Sequence, residues 1–68
     1  MTAAKRGAVD PLMDTAEAAA YLRFPQGTVR NWRTRGTGPA YIKVNGAQVR
    51  YRLSDLDAWL DEQTVRVS

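Results

Sequence analysis

The stretch Asp14–Gly36, DTAEAAAYLRFPQGTVRNWRTRG, decides how this chain folds. Asp14 or Thr15 is available as an N-cap, Glu17 favours a first helical turn, and the alanine run after it has high helix propensity. Ala18, Tyr21 and Leu22 fall at i, i+3 and i+4, which makes one face of this helix apolar. The helix ends at Arg23-Phe24, because Pro25 biases the residue before it away from the helical region. Pro25 then restarts a helix, since a proline at or near the first helical position gives up an N–H that had no partner. This second helix runs from near Gln26 to Arg35; Gly36 closes it and Gly38-Pro39 prevents its resumption. Val29 and Trp32 share its inner face and are expected against Ala18, Leu22, Trp59 and Leu60.

Beyond the second helix the period changes to two. Ile42 and Val44 lie on one face and Tyr41 and Lys43 on the other, and Asn45-Gly46 then signals a hairpin turn. Val49, Tyr51 and Leu53 continue the inward alternation, which turns Arg50 and Arg52 outward beside Lys43. Ser54 reads as the N-cap of a third helix, with Asp57 imitating a capping box and Leu53 packing near Ala58. Leu56, Trp59 and Leu60 form the apolar stripe of that helix, and Asp55, Asp57, Asp61 and Glu62 fill much of the rest. The order helix, turn, helix, hairpin, helix predicts a mainly α chain with a β-hairpin, a small winged helix-turn-helix domain. Its expected span is 12–64, preceded by a flexible N-terminal arm at 1–11 and followed by a frayed C-terminus at 65–68. Within the arm Lys5 and Arg6 are available for a phosphate, unless the segment is a plain terminal tail.

Charge is distributed unevenly along this chain. Arg23, Arg30, Arg33, Arg35, Lys43, Arg50 and Arg52 follow one another with no carboxylate between them, whereas all seven acids lie outside that window. A net charge of +3 thus conceals a central +7 segment between acidic ends, which suits a polyanion such as nucleic acid. With Cys 0 and His 0 there is no disulfide framework, and no zinc site or other cofactor is expected. Asp55 and Asp57, two apart, point away from each other on a helix, so the reading is of a protein that is not an enzyme and takes no small-molecule substrate. No apolar run approaches the ~20 residues of a membrane span, and the first ten residues lack the apolar stretch of a secretory signal. A cytoplasmic protein with no membrane partner is expected.

The outer face of the second helix carries residue types that read the major groove. Arg pairs with guanine, Asn with adenine, and Thr bonds a base edge or touches the thymine methyl. Gln26, Thr28, Arg30 and Asn31, near the helix start, are therefore the candidates for base readout. Gly27, Arg33 and Arg35 are candidates for the DNA backbone, Gly27 because a bare backbone allows close approach to a phosphate. For Gly27 a small residue at a crowded turn is the competing explanation, and for Arg33 and Arg35 a favourable charge at a helix C-terminus. Lys43, Asn45, Gln48, Arg50 and Arg52 are the candidates on the wing, gripping the backbone or entering the minor groove, although basic residues also protect an edge strand. Trp32, Trp59, Tyr21 and Tyr51 invite an alternative in which aromatic rings stack on unpaired bases, but both tryptophans fall on apolar helical faces and read as core; Tyr41, on the outward strand face, is the exception.

The pieces TAEAAAYL, GTVRNWRTRG, GPAYIKVNG and VRYRLSDLDAWL, in this order, resemble the small excisionase-type DNA-binding domains related to the MerR winged-helix superfamily. Nearly the whole ordered chain takes part. Phe24-Pro25 departs from the pattern, since such domains often carry a small apolar residue and then Ser or Thr in the turn. The resemblance implies double-stranded DNA as partner, with the second helix in the major groove and the wing in the minor groove. It assigns base or groove contacts to Thr28, Arg30 and Asn31, and backbone contacts to Arg33, Lys43, Arg50 and Arg52; Val29, Trp32, Leu56 and Trp59 match the family core. An excisionase, or recombination directionality factor, binds beside a phage attachment site, often in neighbouring copies of itself, bends the DNA and lets an integrase excise. A small MerR-like transcriptional regulator on the same fold, without the dimerisation helix and effector domain of full MerR proteins, is the alternative. A protein-interaction module using the acidic third helix or the basic wing is the reading from another class.

Overall fold

The computed structural model describes residues 10–67. Its elements are β1 (Leu12–Met13), α1 (Thr15–Leu22), α2 (Gln26–Arg35), β2 (Ile42–Val44), β3 (Gln48–Arg52) and α3 (Leu53–Gln63). Three helices and a small antiparallel sheet of order β1-β3-β2 make a winged helix-turn-helix domain, β2 and β3 being the wing.

Local chemistry starts and stops the first two helices. Asp14 caps α1: its carboxylate accepts from the Glu17 amide at 2.8 Å, while the Glu17 carboxylate accepts from the Asp14 amide at 2.9 Å. At the other end Arg23 adopts a left-handed φ of 64°, and the Phe24 amide donates to the Ala19 carbonyl at 3.0 Å. Pro25 occupies the cap position of α2 and offers no side-chain acceptor. Gly36, at φ 73°, closes α2. Gly38 brings the chain back so tightly over α2 that a Cβ there would stand 2.9 Å from the Trp32 Cβ.

The core consists of Ala18, Ala19 and Leu22 from α1, Val29 from α2, Tyr51 from β3 and Leu56 from α3. Met13, Trp32, Val49 and Trp59 pack around it partly exposed. Trp32 meets Trp59 at a centroid distance of 5.0 Å and Phe24 edge-on at 5.0 Å, so both tryptophans pack inward and neither offers a stacking platform. Two expected core positions lie outside. Tyr21 and Leu60 are exposed, because α1 turns Ala19 rather than Tyr21 to the centre and α3 reaches the core through Leu56.

Three sequence expectations are corrected, two of them by contacts between distant segments. Of the expected mobile arm at 1–11, residues 1–9 lie outside the described residues, but Asp10 and Pro11 are engaged: the Leu53 amide donates to the Pro11 carbonyl at 3.0 Å. Leu12 and Met13 then pair with Arg52 and Tyr51 as a third strand. Two residues are too few to show a period, so only the partner defines them as a strand. Secondly, Ser54 is not the cap of α3, which begins at Leu53. Asp10 accepts from the Ser54 amide at 2.9 Å and from its hydroxyl at 2.7 Å, while Asp57 accepts from the Tyr21 hydroxyl instead of closing a capping box. Thirdly, β2 faces the other way. Three residues, Asn45–Ala47, separate the partners Val44 and Gln48, so Ile42 pairs with Arg50 and Lys43 with Val49. A two-residue loop would have paired Val44 with Ala47, and a shift of one residue exchanges the two faces of a strand.

Candidate nucleic-acid interface

One open cleft lies between α2 and the wing. Asp14, Thr15 and Ala16 at the start of α1 form one end; Gln26, Arg30 and Arg33 come from α2, and Ala47, Gln48, Val49 and Arg50 from the wing. Gln26, Arg30 and Arg33 are spaced i, i+4, i+7, so the helical repeat brings them onto one stripe facing the hairpin. Three guanidinium groups thus converge on the cleft. Asp14 is its single acid, and that carboxylate is already bonded to the Glu17 amide. No residue of α3 lines the cleft, so Asp55, Asp57, Asp61 and Glu62 stand away from it.

The three arginines are held differently. Arg50 is tied along the wing, its guanidinium donating to the Val49 carbonyl at 2.8 Å and to the Gln48 side chain at 3.2 Å. Arg30 is exposed and has no side-chain hydrogen bond among the described residues. Arg33 is half-buried: one of its nitrogens lies 3.1 Å from the Thr15 hydroxyl and 3.1 Å from the Tyr51 hydroxyl, and its Cζ is 5.9 Å from the centre of the Tyr41 ring.

Other candidates read from the sequence lie outside this cleft. Thr28 is half-buried and stands roughly 160° around α2 from Arg30. Asn31 is exposed about 100° from Arg30, on the side of α2 away from the core. Gly27 lies in open space: a Cβ there would meet nothing within 4 Å, which removes the crowded-turn explanation. Arg35 is exposed in the last turn of α2. Asn45 sits at the wing tip with φ 54°. Lys43 was expected beside Arg50 and Arg52, yet it lies on the opposite face of the hairpin, across from Val49. Arg52, at the far end of β3 from the tip, makes an ion pair of 3.6 Å with Asp55, the one salt bridge among the described residues. The turn from β3 into α3 puts these two at i and i+3, which draws Arg52 away from the wing.

Thr15 and the Tyr51 hydroxyl belong to the site without having been read as such, and Tyr41, singled out as an outward ring, lies against Arg33 and Tyr51. Alternation placed the Tyr51 ring in the core, where it is 1% exposed, but nothing in the spacing announces that its hydroxyl reaches α2. Their signal is an arginine partner supplied by another element, which only folding brings near.

No curated protein matches the chain. A family model described as a helix-turn-helix domain matches residues 12–64, from the first strand to the residue after α3. The chain belongs to this helix-turn-helix family of small DNA-binding domains.

Proposed function

We propose that this protein binds duplex DNA in a sequence-directed way, as an excisionase-type accessory factor that bends DNA beside an attachment site for an integrase. The observation that carries the binding is the cleft itself, where Gln26 and Arg30 of the helix meet Gln48 and Arg50 of the wing and no unoccupied carboxylate intervenes. In this reading α2 enters the major groove, Gln26, Arg30 and Asn31 address base edges, and Arg50 holds a flanking phosphate or the minor-groove rim. Gly27 lets the uncapped start of α2 approach a phosphate closely, because Pro25 brings no side-chain acceptor to that end. The accessory role rests on the order of sequence pieces resembling excisionases, and such a domain supplies positioning and bending rather than chemistry.

With Arg33 and Arg52 bonded within the protein and Lys43 on the opposite face of the hairpin from Arg50, Arg30, Arg35 and Arg50 remain for phosphates. The logarithmic salt slope on duplex DNA is then expected to be roughly −3. A flat salt response, or no duplex binding at low salt, would transfer the chain to the protein-interaction class. Footprinting on DNA flanking its gene, joined to an integrase excision assay, tests the rest: protection across an attachment site with stimulated excision is expected. Protection confined to a promoter, with recombination unaffected, would establish a transcriptional regulator instead.

A further inference from the structure

We infer that Arg33 is a positioning residue: it sets the gap between α2 and the wing and does not itself hold DNA. The inference deepens the duplex-binding reading and rests on it. Its guanidinium lies within 3.1 Å of hydroxyls on two other elements, Thr15 at the start of α1 and Tyr51 in β3. Tyr51 is 1% exposed, so its ring is held by the core and its hydroxyl is a fixed point at the root of the wing. The Tyr41 ring, 6.0 Å from that of Tyr51 and 5.9 Å from the Arg33 Cζ, covers the third side. Arg33 therefore joins recognition helix, first helix and hairpin at one point, inside the cleft whose width decides whether Arg30 and Arg50 engage one duplex together.

Arginine suits this role through its planar fork, which presents donors at fixed angles to both acceptors; a lysine ammonium in the same place keeps the charge and loses the geometry. No carboxylate forms a salt bridge with Arg33 among the described residues. Its charge thus still contributes to the field in the cleft while its position is set by neutral partners.

The test uses the full chain with Arg33→Lys, Arg33→Gln, Tyr51→Phe and Thr15→Ala. Each is measured for affinity on its footprinted duplex, for salt slope, and for backbone amide relaxation of the hairpin in the free protein. Arg33→Lys and Tyr51→Phe are each expected to weaken binding about tenfold at unchanged salt slope, the loss of one hydrogen bond to a charged group being of that order. Hairpin amides at 45–48 become more mobile in both, and adding Tyr51→Phe to Arg33→Gln brings no further loss. Parent-like binding by Arg33→Lys would overturn the inference. So would a neutral Tyr51→Phe together with a salt slope reduced by about one in Arg33→Gln, the signature of a phosphate contact. If Tyr51→Phe fails to fold, Thr15→Ala decides: wider hairpin motion supports the clamp and parent-like motion and affinity reject it. Should the parent chain not bind duplex DNA at all, the functional reading fails by itself, and hairpin relaxation still tests the clamp.

Discussion

Gly27 shows how a single residue separates folding from binding. It sits in the first turn of α2, in open space and without a positive φ, so the fold does not require glycine there. Gly27→Ala is expected to raise stability by about 0.5–1 kcal/mol through helix propensity, and a denaturant titration measures it. Duplex affinity is expected to fall in the same variant, since the added methyl stands between the backbone and a phosphate; unchanged affinity would remove Gly27 from the interface. Arg30 and Arg50 form a second contrast. Arg30→Ala is expected to relax base preference at one position with ~1–3 kcal/mol lost, whereas Arg50→Ala weakens specific and random duplexes alike. Equal losses on both duplexes for both variants would contradict the division between helix and wing. These roles were legible because residue type and helix position suffice to suggest them. The Arg33 bonds were not, because Thr15 and Tyr51 each lie 18 residues away and no local period connects them.

Among the elements, the helices were read most faithfully. Their ends are set by residues within a turn or two: the Asp14 and Glu17 box, the left-handed Arg23 before Phe24-Pro25, and Gly36. The return from α2 to the wing is tighter than those signals suggest. Gly38 combines a φ of 84° with the Trp32 Cβ at 2.9 Å from any added Cβ, so Gly38→Ala meets backbone strain and a collision with a packed side chain together. A loss of about 1–3 kcal/mol is expected, read by thermal unfolding; a stability equal to the parent would show that Trp32 shifts freely. The hairpin was legible as a hairpin and illegible in register. Alternation identifies the two faces of each strand but not which face of β2 joins which face of β3, and the third loop residue, Ala47, decides that.

For the molecule as a whole, the segment just before β1 is tied to the last helix through Asp10. The hydrogen bonds it receives from the Ser54 amide and hydroxyl, aided by Arg52, hold its carboxyl below the usual carboxylate range. Tyr21 is shifted the other way: the Asp57 carboxylate accepting from its hydroxyl keeps the phenol protonated to higher pH than usual. A lowered folded pKa gives stability that is present above the unfolded value and lost as pH falls through the folded one. A raised pKa gives stability that is complete below the ordinary tyrosine value of about 10 and lost as pH rises through the folded one. The domain is thus expected to be most stable between these limits. Asp10→Asn should differ from the parent in thermal melts at neutral pH and converge with it in strong acid, and Tyr21→Phe should converge in strong base; a constant difference across pH would deny both links. What the sequence determined by itself is whatever depends on neighbours in the chain: three helices, the start of α1, the breaks that end α1 and α2, the hairpin, and the separation of a cationic middle from acidic ends. Only the tertiary structure decided that β1 exists, that Asp10 rather than Ser54 guards α3, that Lys43 and Arg50 part company, and that Arg33 faces inward. Apart from the hairpin register, which one loop residue sets, these contacts join residues far apart in the chain, such as Asp10 and Ser54 at 44 positions, and their partners become neighbours only when the core has brought the elements together.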